Sequence, residues 1–600
     1  MRHRLFALAL AASALLAATA AAAAPHNVVI FVADGLRSRA VTEETAPALA
    51  AIRREGVDFR NSHSIYPTMT TVNAAAIATG HKPGDTGDFG NTVYLGAPAL
   101  PSNRGSLVAF IEDDQLLREM NRRFDGDFLG EVTLLQAAAA QGFSAAVVGK
   151  HGPAAIQAAA DGRQVLIVDD RTGAPSGFAL PQDVQADMQA AGLPLSAPGR
   201  GANGEAGDFD TPGTTVANLD QQAWFGDVAA KVLLPRFKAA GKPFVLVFWS
   251  RDPDGSQHNE GDSLNALVPG VNGATSYAGV RNASDALQKL RDALSALGLA
   301  ETTDIVVTAD HGFSTIDKQS RTSPSARFTY PDVPRGFLPP GFLAVDLARA
   351  LGLPLREPDG QPIDAAAGGH PRWGAAMLAS DPARPQVLIG ANGGTDLLWL
   401  GKGEARGLAR RIVAFVQGQD YAGGIFVRDE LGPIPGTLPT SAIELNGSAR
   451  TPPPDLVIGF RSAATCGDVE LCAAQVSDTE LQQGQGMHGG FSRADTHNFM
   501  AAVGPDFKRG YVDPAPVSNA DWAPTLAHVL GLDRAPRGAL SGRVMAEALE
   551  GGREPKVRRR TVRSDRGAPG LRMMLDVQSV GDWRYYDAAG YPGRVAGLSR

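Results

Sequence analysis

Three apolar runs in this chain end in residues that bind hard or borderline metal ions. Asp34 follows "NVVIFVA", Asp254 and His258 form Asp-x-x-x-His after "FVLVFWS", and Asp310-His311 follow "TDIVVTA". His488 lies farther along, in "GMHGGF". Each is ordinary when taken alone: Asp before Gly stabilises a turn, and "DPDG" is good turn chemistry. Taken jointly, three carboxylates and three imidazoles suit two zinc-like ions, each held by mixed nitrogen and oxygen ligands. A hydroxyl belongs to the same hypothesis. "YPTMTTVNAAAIATG" sets Thr68, Thr70 and Thr71 just ahead of a small-residue helix pattern. A threonine there is either a helix N-cap or a nucleophile beside free backbone N–H groups. An alcohol is a poor nucleophile at neutral pH unless a metal favours its alkoxide. Spacing alone does not choose among the three threonines.

The elements that must position these groups can be read from the same runs. Segments 26–36, 143–150, 242–255 and 303–312 are β-branched and apolar, as buried parallel strands are. Amphipathic helix patterns lie between them, over 46–55, 130–141 and 283–297. This alternation predicts an α/β fold, a mostly parallel central sheet with helices on both faces. Ligands of such sheets sit at the carboxyl ends of the strands, where the acidic and histidine clusters fall. Between 315 and 485 the regularity breaks down into Pro- and Gly-rich stretches such as "PDVPRGFLPPGF" and "TPPPDLVIGF". That region reads as an inserted cap or lid lobe beside the strand ends. The expected organisation is a signal peptide over 1–24, the first part of the core over 25–314, the lobe over 315–485, and the second part of the core over 486–550. A basic linker, "REPKVRRRTVR", and a C-terminal hairpin fill 551–600.

The opening "MRHRLFALALAASALLAATAAAAAP" has a basic start, an apolar core and Ala-x-Ala sites, the pattern of a secretory signal peptide. Its core is too short and alanine-rich for a good membrane span, so the expected location is periplasmic or secreted, with no span after cleavage. The remaining chain carries 54 basic and 63 acidic residues, a formal charge of −9, which argues against a nucleic-acid duplex as partner. Cys466 and Cys472 are the only cysteines. In an exported protein they are expected to close a small loop as a disulfide.

"VADG", the T-M-T-T-V-N turn, "DPDGSQH", "TADHG" and "MHGG…NFMAAVGPDF" resemble the alkaline phosphatase superfamily, within it the type I phosphodiesterase and nucleotide pyrophosphatase branch. The resemblance runs with gaps from about Asn27 to about Leu532. It implies Thr70 as nucleophile, with phospho-Thr70 formed and then hydrolysed by water. It implies one ion at Asp34, Thr70, Asp310 and His311 and a second at Asp254, His258 and His488. Two such ions, roughly 4 Å apart, clamp the attacking and leaving oxygens of a small phosphoester substrate, and three imidazoles favour zinc over magnesium. Asn91, in "DFGNTV", matches a family asparagine whose amide donates to a phosphoryl oxygen beside the backbone N–H that follows the nucleophile, here that of Thr71. Asn73 and His497 are given structural roles. Threonine-type phosphomonoesterases carry Lys and Arg two residues apart after the strand at 143–148; here Lys150 is present but Gly152 stands at the Arg position. Loss of that bidentate clamp disfavours a doubly charged monoester, so diesters or pyrophosphates are expected. The alternatives are a monoesterase using Lys150, phosphonate hydrolysis by the same nucleophile, and an inactive exported binding protein of this fold. A sulfatase needs Cys or Ser where Thr70 stands.

Overall fold

The computed structural model describes residues 26–96 and 99–598; the expected signal peptide lies outside them. The central sheet has eight strands: β1 (Asn27–Ala33), β2 (Val57–Phe59), β3 (Ser144–Gly149), β4 (Leu166–Asp169), β5 (Phe244–Ser250), β6 (Thr303–Thr308), β7 (Met500–Val503) and β8 (Tyr511–Asp513). Their order is β8-β2-β7-β6-β1-β5-β3-β4. Only β7 runs against the others. The sequence of β1 explains its central place. Val28, Ile30 and Val32 enter one core with Ala74, Ile77 and Leu526, while Val29, Phe31 and Ala33 enter another with Leu49, Phe225 and Leu287. A strand with period two and apolar side chains in both phases must be covered by helices on both faces. The expected α/β sheet is therefore present.

Because β6, β1, β5 and β3 are parallel neighbours, their carboxyl ends open along one edge. Asp310 and His311, Asp34, Asp254 and Lys150 follow those four ends in turn. The edge thus collects residues up to 277 positions apart in sequence.

Most of 315–485 is more ordered than its composition suggests. It forms a seven-stranded, largely antiparallel sheet from Leu355–Arg356 to Leu456–Phe460, packed against helices Phe342–Leu351 and Ala405–Gln417. Phe342, Leu397, Ile412 and Ile458 lie in its core. Short strands between Pro- and Gly-rich turns hide this regularity, since an antiparallel strand needs no long apolar run. A smaller sheet joins it to the core, where Ser314–Asp317 pairs with Ala473–Val476 and Gly486–Met487. Cys466 and Cys472 form the expected disulfide. The basic segment read as a solvated linker is instead a strand, Val557–Arg563, at the edge of a three-stranded sheet with Met574–Val580 and Trp583–Gly590. Exposed arginines suit an edge strand because their charge discourages pairing with another chain. No helix among the described residues is long and apolar enough to cross a membrane.

Asp304 lies near the amino end of β6, away from the ligand edge, and is fully buried. Its Oδ1 accepts from Asp506 N at 3.1 Å, and its Oδ2 has no partner. Burial, aided by the neighbouring Asp506 carboxyl, pushes Asp304 up to about 8. The folded state thus favours the neutral acid, and this contribution is lost as pH rises from the unfolded value near 4 through about 8. Urea midpoints should fall between pH 5 and pH 8, and the fall should be smaller in Asp304→Asn by on the order of 2–4 kcal/mol. Equal losses in the two proteins would refute the assignment.

Candidate metal centre and nucleophile

Each of the three imidazoles has Nδ1 against a backbone carbonyl: His258 on Gly486 O at 2.9 Å, His311 on Gly312 O at 2.9 Å, and His488 on Thr68 O at 2.8 Å. A carbonyl only accepts, so Nδ1 carries the proton and Nε2 keeps its lone pair. Those lone pairs face carboxylates. His258 Nε2 is 3.1 Å and His488 Nε2 3.8 Å from Asp254 Oδ1. His311 Nε2 is 3.2 Å from Asp310 Oδ2 and 3.6 Å from Asp34 Oδ1. These three oxygens are buried without a hydrogen-bond partner. Lone pairs facing carboxyl oxygens with no other partner are stabilised when a proton or a cation is shared between them, and the mixed donor set fits divalent cations.

Ligand atoms converge in two groups, Asp34–Asp310–His311 and Asp254–His311–His488, each within 4.8 Å. Against the expected division, His311 belongs to both groups, and His258 lies outside the second but adjoins it through Asp254 and the His488 ring. His497 is outside both, hydrogen-bonded to Glu470 at 2.8 Å.

Electrostatics follow from that crowding. Burial, then the Asp254 and Asp310 carboxylates, raise Asp34 well above its ordinary value. Burial pushes Asp310 up to about 7. Burial works to raise Asp254 as well, yet Lys150 and His258 hold it well below its ordinary value. His488 is pushed well down by burial and then by His311 and His258. The Lys150 ammonium is the local counter-charge, 3.0 Å from Asp34, 3.1 Å from Glu112 and 3.2 Å from Asp254.

The three threonines part company here. Thr68 Oγ1 donates to Gly490 O at 2.9 Å, and Thr71 Oγ1 to Asp88 Oδ1 at 2.9 Å. Thr70 Oγ1 alone meets the cluster, 3.2 Å from His311 Nε2. Thr70 is not an N-cap: it is the first residue of helix Thr70–Thr79, and Met69 precedes it as cap with no side-chain bond. Asn73 fixes the turn before it, accepting from Ile65 N at 2.7 Å and donating to Ile65 O and Met69 O.

Asn91 lies beside Thr71 but is differently engaged than expected. Its Oδ1 accepts from Thr71 N at 3.3 Å and from Thr71 Oγ1 at 3.1 Å, and its Nδ2 donates to Glu112 Oε1 at 2.6 Å. In this arrangement the two expected phosphate donors are satisfied within the protein, Asn91 Nδ2 by buried Glu112 and Thr71 N by Asn91 Oδ1. Sequence reasoning missed Glu112, which sits in the featureless "FIEDD", and Trp249, whose Nε1 donates to Asp34 Oδ2 at 2.8 Å. The glycine at the monoesterase arginine position also has a cause: Gly152 adopts φ +78°, and a Cβ there would stand 2.9 Å from Glu112 Cα.

A cleft of about 630 Å3 opens over this edge. Phe110 and Lys150 line it from the sheet side, and Trp373, Asn392 and Asp478 from the 315–485 region. Phe110 and Trp373 keep 54% and 60% of their surface exposed, an apolar lining beside a polar floor.

A family model described as type I phosphodiesterase / nucleotide pyrophosphatase matches residues 28–328. That span includes every candidate ligand except His488, and ends before the seven-stranded sheet. Among curated proteins no match is found.

Removing the counter-charge should be costly only while the carboxylates lack another cation. In chelator, Lys150→Met should lose about 3–5 kcal/mol of stability, the usual consequence of leaving buried charge unpaired. Zinc should then raise its urea midpoint by more than that of the unaltered protein. Equal midpoints in chelator would show that Lys150 does not balance the cluster.

Proposed function

Because the chain belongs to the type I phosphodiesterase / nucleotide pyrophosphatase family, a family of metal-dependent phosphoester hydrolases, we propose that it hydrolyses phosphodiester or pyrophosphate bonds through Thr70. The observation that carries this reading is the selective placement of one hydroxyl. Of three adjacent threonines, Thr70 is the one at the imidazoles and unsatisfied carboxylates. We assign one divalent ion to Asp34, Thr70, Asp310 and His311, and another to Asp254, His258 and His488, with zinc favoured by the imidazole content. When bound, such ions favour the threonine alkoxide and offset charge on the attacking and leaving oxygens.

The rest is the work of the chain's own groups. The Nδ1–carbonyl bonds orient all three imidazoles before any ligand arrives. Helix Thr70–Thr79 directs its N-terminal partial charge toward an incoming phosphate. Thr70 Oγ1 gives up its proton and bonds to phosphorus as the bond to the ester oxygen breaks, and that oxygen leaves as an alcohol carrying a proton, giving phospho-Thr70. Water then supplies its oxygen to phosphorus and a proton to Thr70. Lys150 moderates repulsion among Asp34, Asp254 and Glu112. Asn91 steadies the start of the helix and, on release from Glu112, donates to a phosphoryl oxygen.

Two features support diesters over monoesters. Gly152 leaves no room for a guanidinium, and the Lys150 ammonium is already shared by three carboxylates. The 315–485 lobe acts as a cap that shapes the leaving-group side, a role supported by Trp373 and Asp478 in the cleft wall. Export is supported by the signal-like opening and the disulfide.

The zinc-loaded enzyme should turn over bis-p-nitrophenyl phosphate faster than p-nitrophenyl phosphate. Thr70→Ala should lose on the order of 10^3-fold or more in kcat, and a chelator should abolish activity that zinc restores. Undiminished Thr70→Ala would remove Thr70 as nucleophile. Preference for the monoester would assign Lys150 the clamping role and overturn the diester reading.

A further inference from the structure

Glu112 lines the cleft but belongs to neither candidate ligand group. Its side chain is buried with both oxygens engaged: Oε1 accepts from Asn91 Nδ2 at 2.6 Å, and Oε2 lies 3.1 Å from Lys150 Nζ. One carboxylate thus bridges an amide and an ammonium, the kinds of donor that a phosphoryl group would use. Of the three carboxylates around Lys150, Glu112 is the one outside the ligand groups. It therefore keeps the ammonium even when Asp34 and Asp254 are taken up by cations.

The main chain fixes Glu112 relative to Asn91. On one side Ile111 N donates to Asn91 O at 2.8 Å; on the other Asp113 caps the helix Asp114–Arg123, accepting from Leu116 N at 2.9 Å. The stem of Glu112 also packs against Gly152, where a Cβ would stand 2.9 Å from its Cβ and 3.2 Å from its Cγ. A phosphoryl oxygen held by the Asn91 amide would stand within roughly 5.5 Å of the Glu112 Oε1 position, since both lie a hydrogen-bond length from one nitrogen. Glu112 and Lys150 are both buried, so charge at that range is little screened by water.

We propose that Glu112 is a specificity-determining residue, a fixed carboxylate beside the phosphoryl site that admits singly charged phosphoryl groups and repels doubly charged ones. The inference rests on the phosphoesterase reading above. A diester brings one negative charge to the site, shared by two oxygens. A monoester brings a second, which meets Glu112 at short range while Lys150 is already committed to that carboxylate. This differs in kind from the missing guanidinium at Gly152, which is a lost attraction. Glu112 is a repulsion, and a repulsion can be removed without building a new contact.

Glu112→Gln keeps the shape of the side chain and loses its charge. In zinc-loaded full-length enzyme, the ratio of kcat/KM for p-nitrophenyl phosphate to that for bis-p-nitrophenyl phosphate should rise about 10-fold or more in this variant. Its dissociation constant for inorganic phosphate, measured by calorimetry in mildly alkaline buffer, should fall by a similar factor. Zinc content and melting temperature confirm folded protein. An unchanged ratio, with both esters slowed by one factor, would make Glu112 a mere counter-ion of Lys150 and overturn the inference. The ratio in the unaltered enzyme tests the diester reading, whereas its change in the variant tests Glu112, so the two fail separately. If the unaltered enzyme cleaves neither ester, the hydrolase reading falls and phosphate affinity decides. Tighter binding by the variant then upholds the charge barrier, and unchanged or weaker binding overturns it.

Discussion

The cluster depends on holding Asp34, Asp254 and Asp310 together out of water. Isolated carboxylates in such a place would protonate or move apart. Here the ends of adjacent parallel strands leave them no freedom to separate, and the Lys150 ammonium bridges two of them. The remaining oxygens, unsatisfied within the protein, face imidazole lone pairs. A site of this kind is assembled in advance for cations, because the cost of crowding like charges is borne by the sheet and its two cores rather than by the ligand.

That constraint orders the neighbouring structure. Each histidine is tethered through Nδ1 to a backbone carbonyl, His258 and His488 to distant segments and His311 to its neighbour Gly312, so ring orientation is set by backbone rather than by a movable side chain. Asn519 joins the same scaffold, donating to Asp310 O at 2.8 Å and to Asn73 Oδ1 at 2.9 Å. It thereby links the loop after β6 to the turn that presents Thr70. Thr70 and the candidate ligands are thus held by one hydrogen-bonded frame, and their spacing does not rest on packing alone.

The 315–485 region contributes no candidate ligand but supplies much of the opposite wall of the cleft. Selectivity is therefore divided between a polar floor built by the first sheet and a wall with a separate core.

Sequence alone marked four of the eight strands of the central sheet and the candidate ligand residues. Both are written in local signals: apolar runs in both phases of a period-two strand, and Asp or His immediately after them. It also determined the disulfide, because no other cysteines compete. It did not distinguish Thr70 from Thr68 and Thr71 without the family resemblance, since all three have the same local chemistry and differ only in what faces them across the fold. Tertiary structure sets Thr70 apart from the other two through His311, 241 residues away. It likewise brought Glu112 to Lys150, made His311 common to both ligand groups, and turned the arginine-rich tail into an edge strand. None of these follows from a residue's neighbours in the chain. They are contacts between distant segments, and the parallel crossovers that create them leave no mark on the spacing of the residues they join.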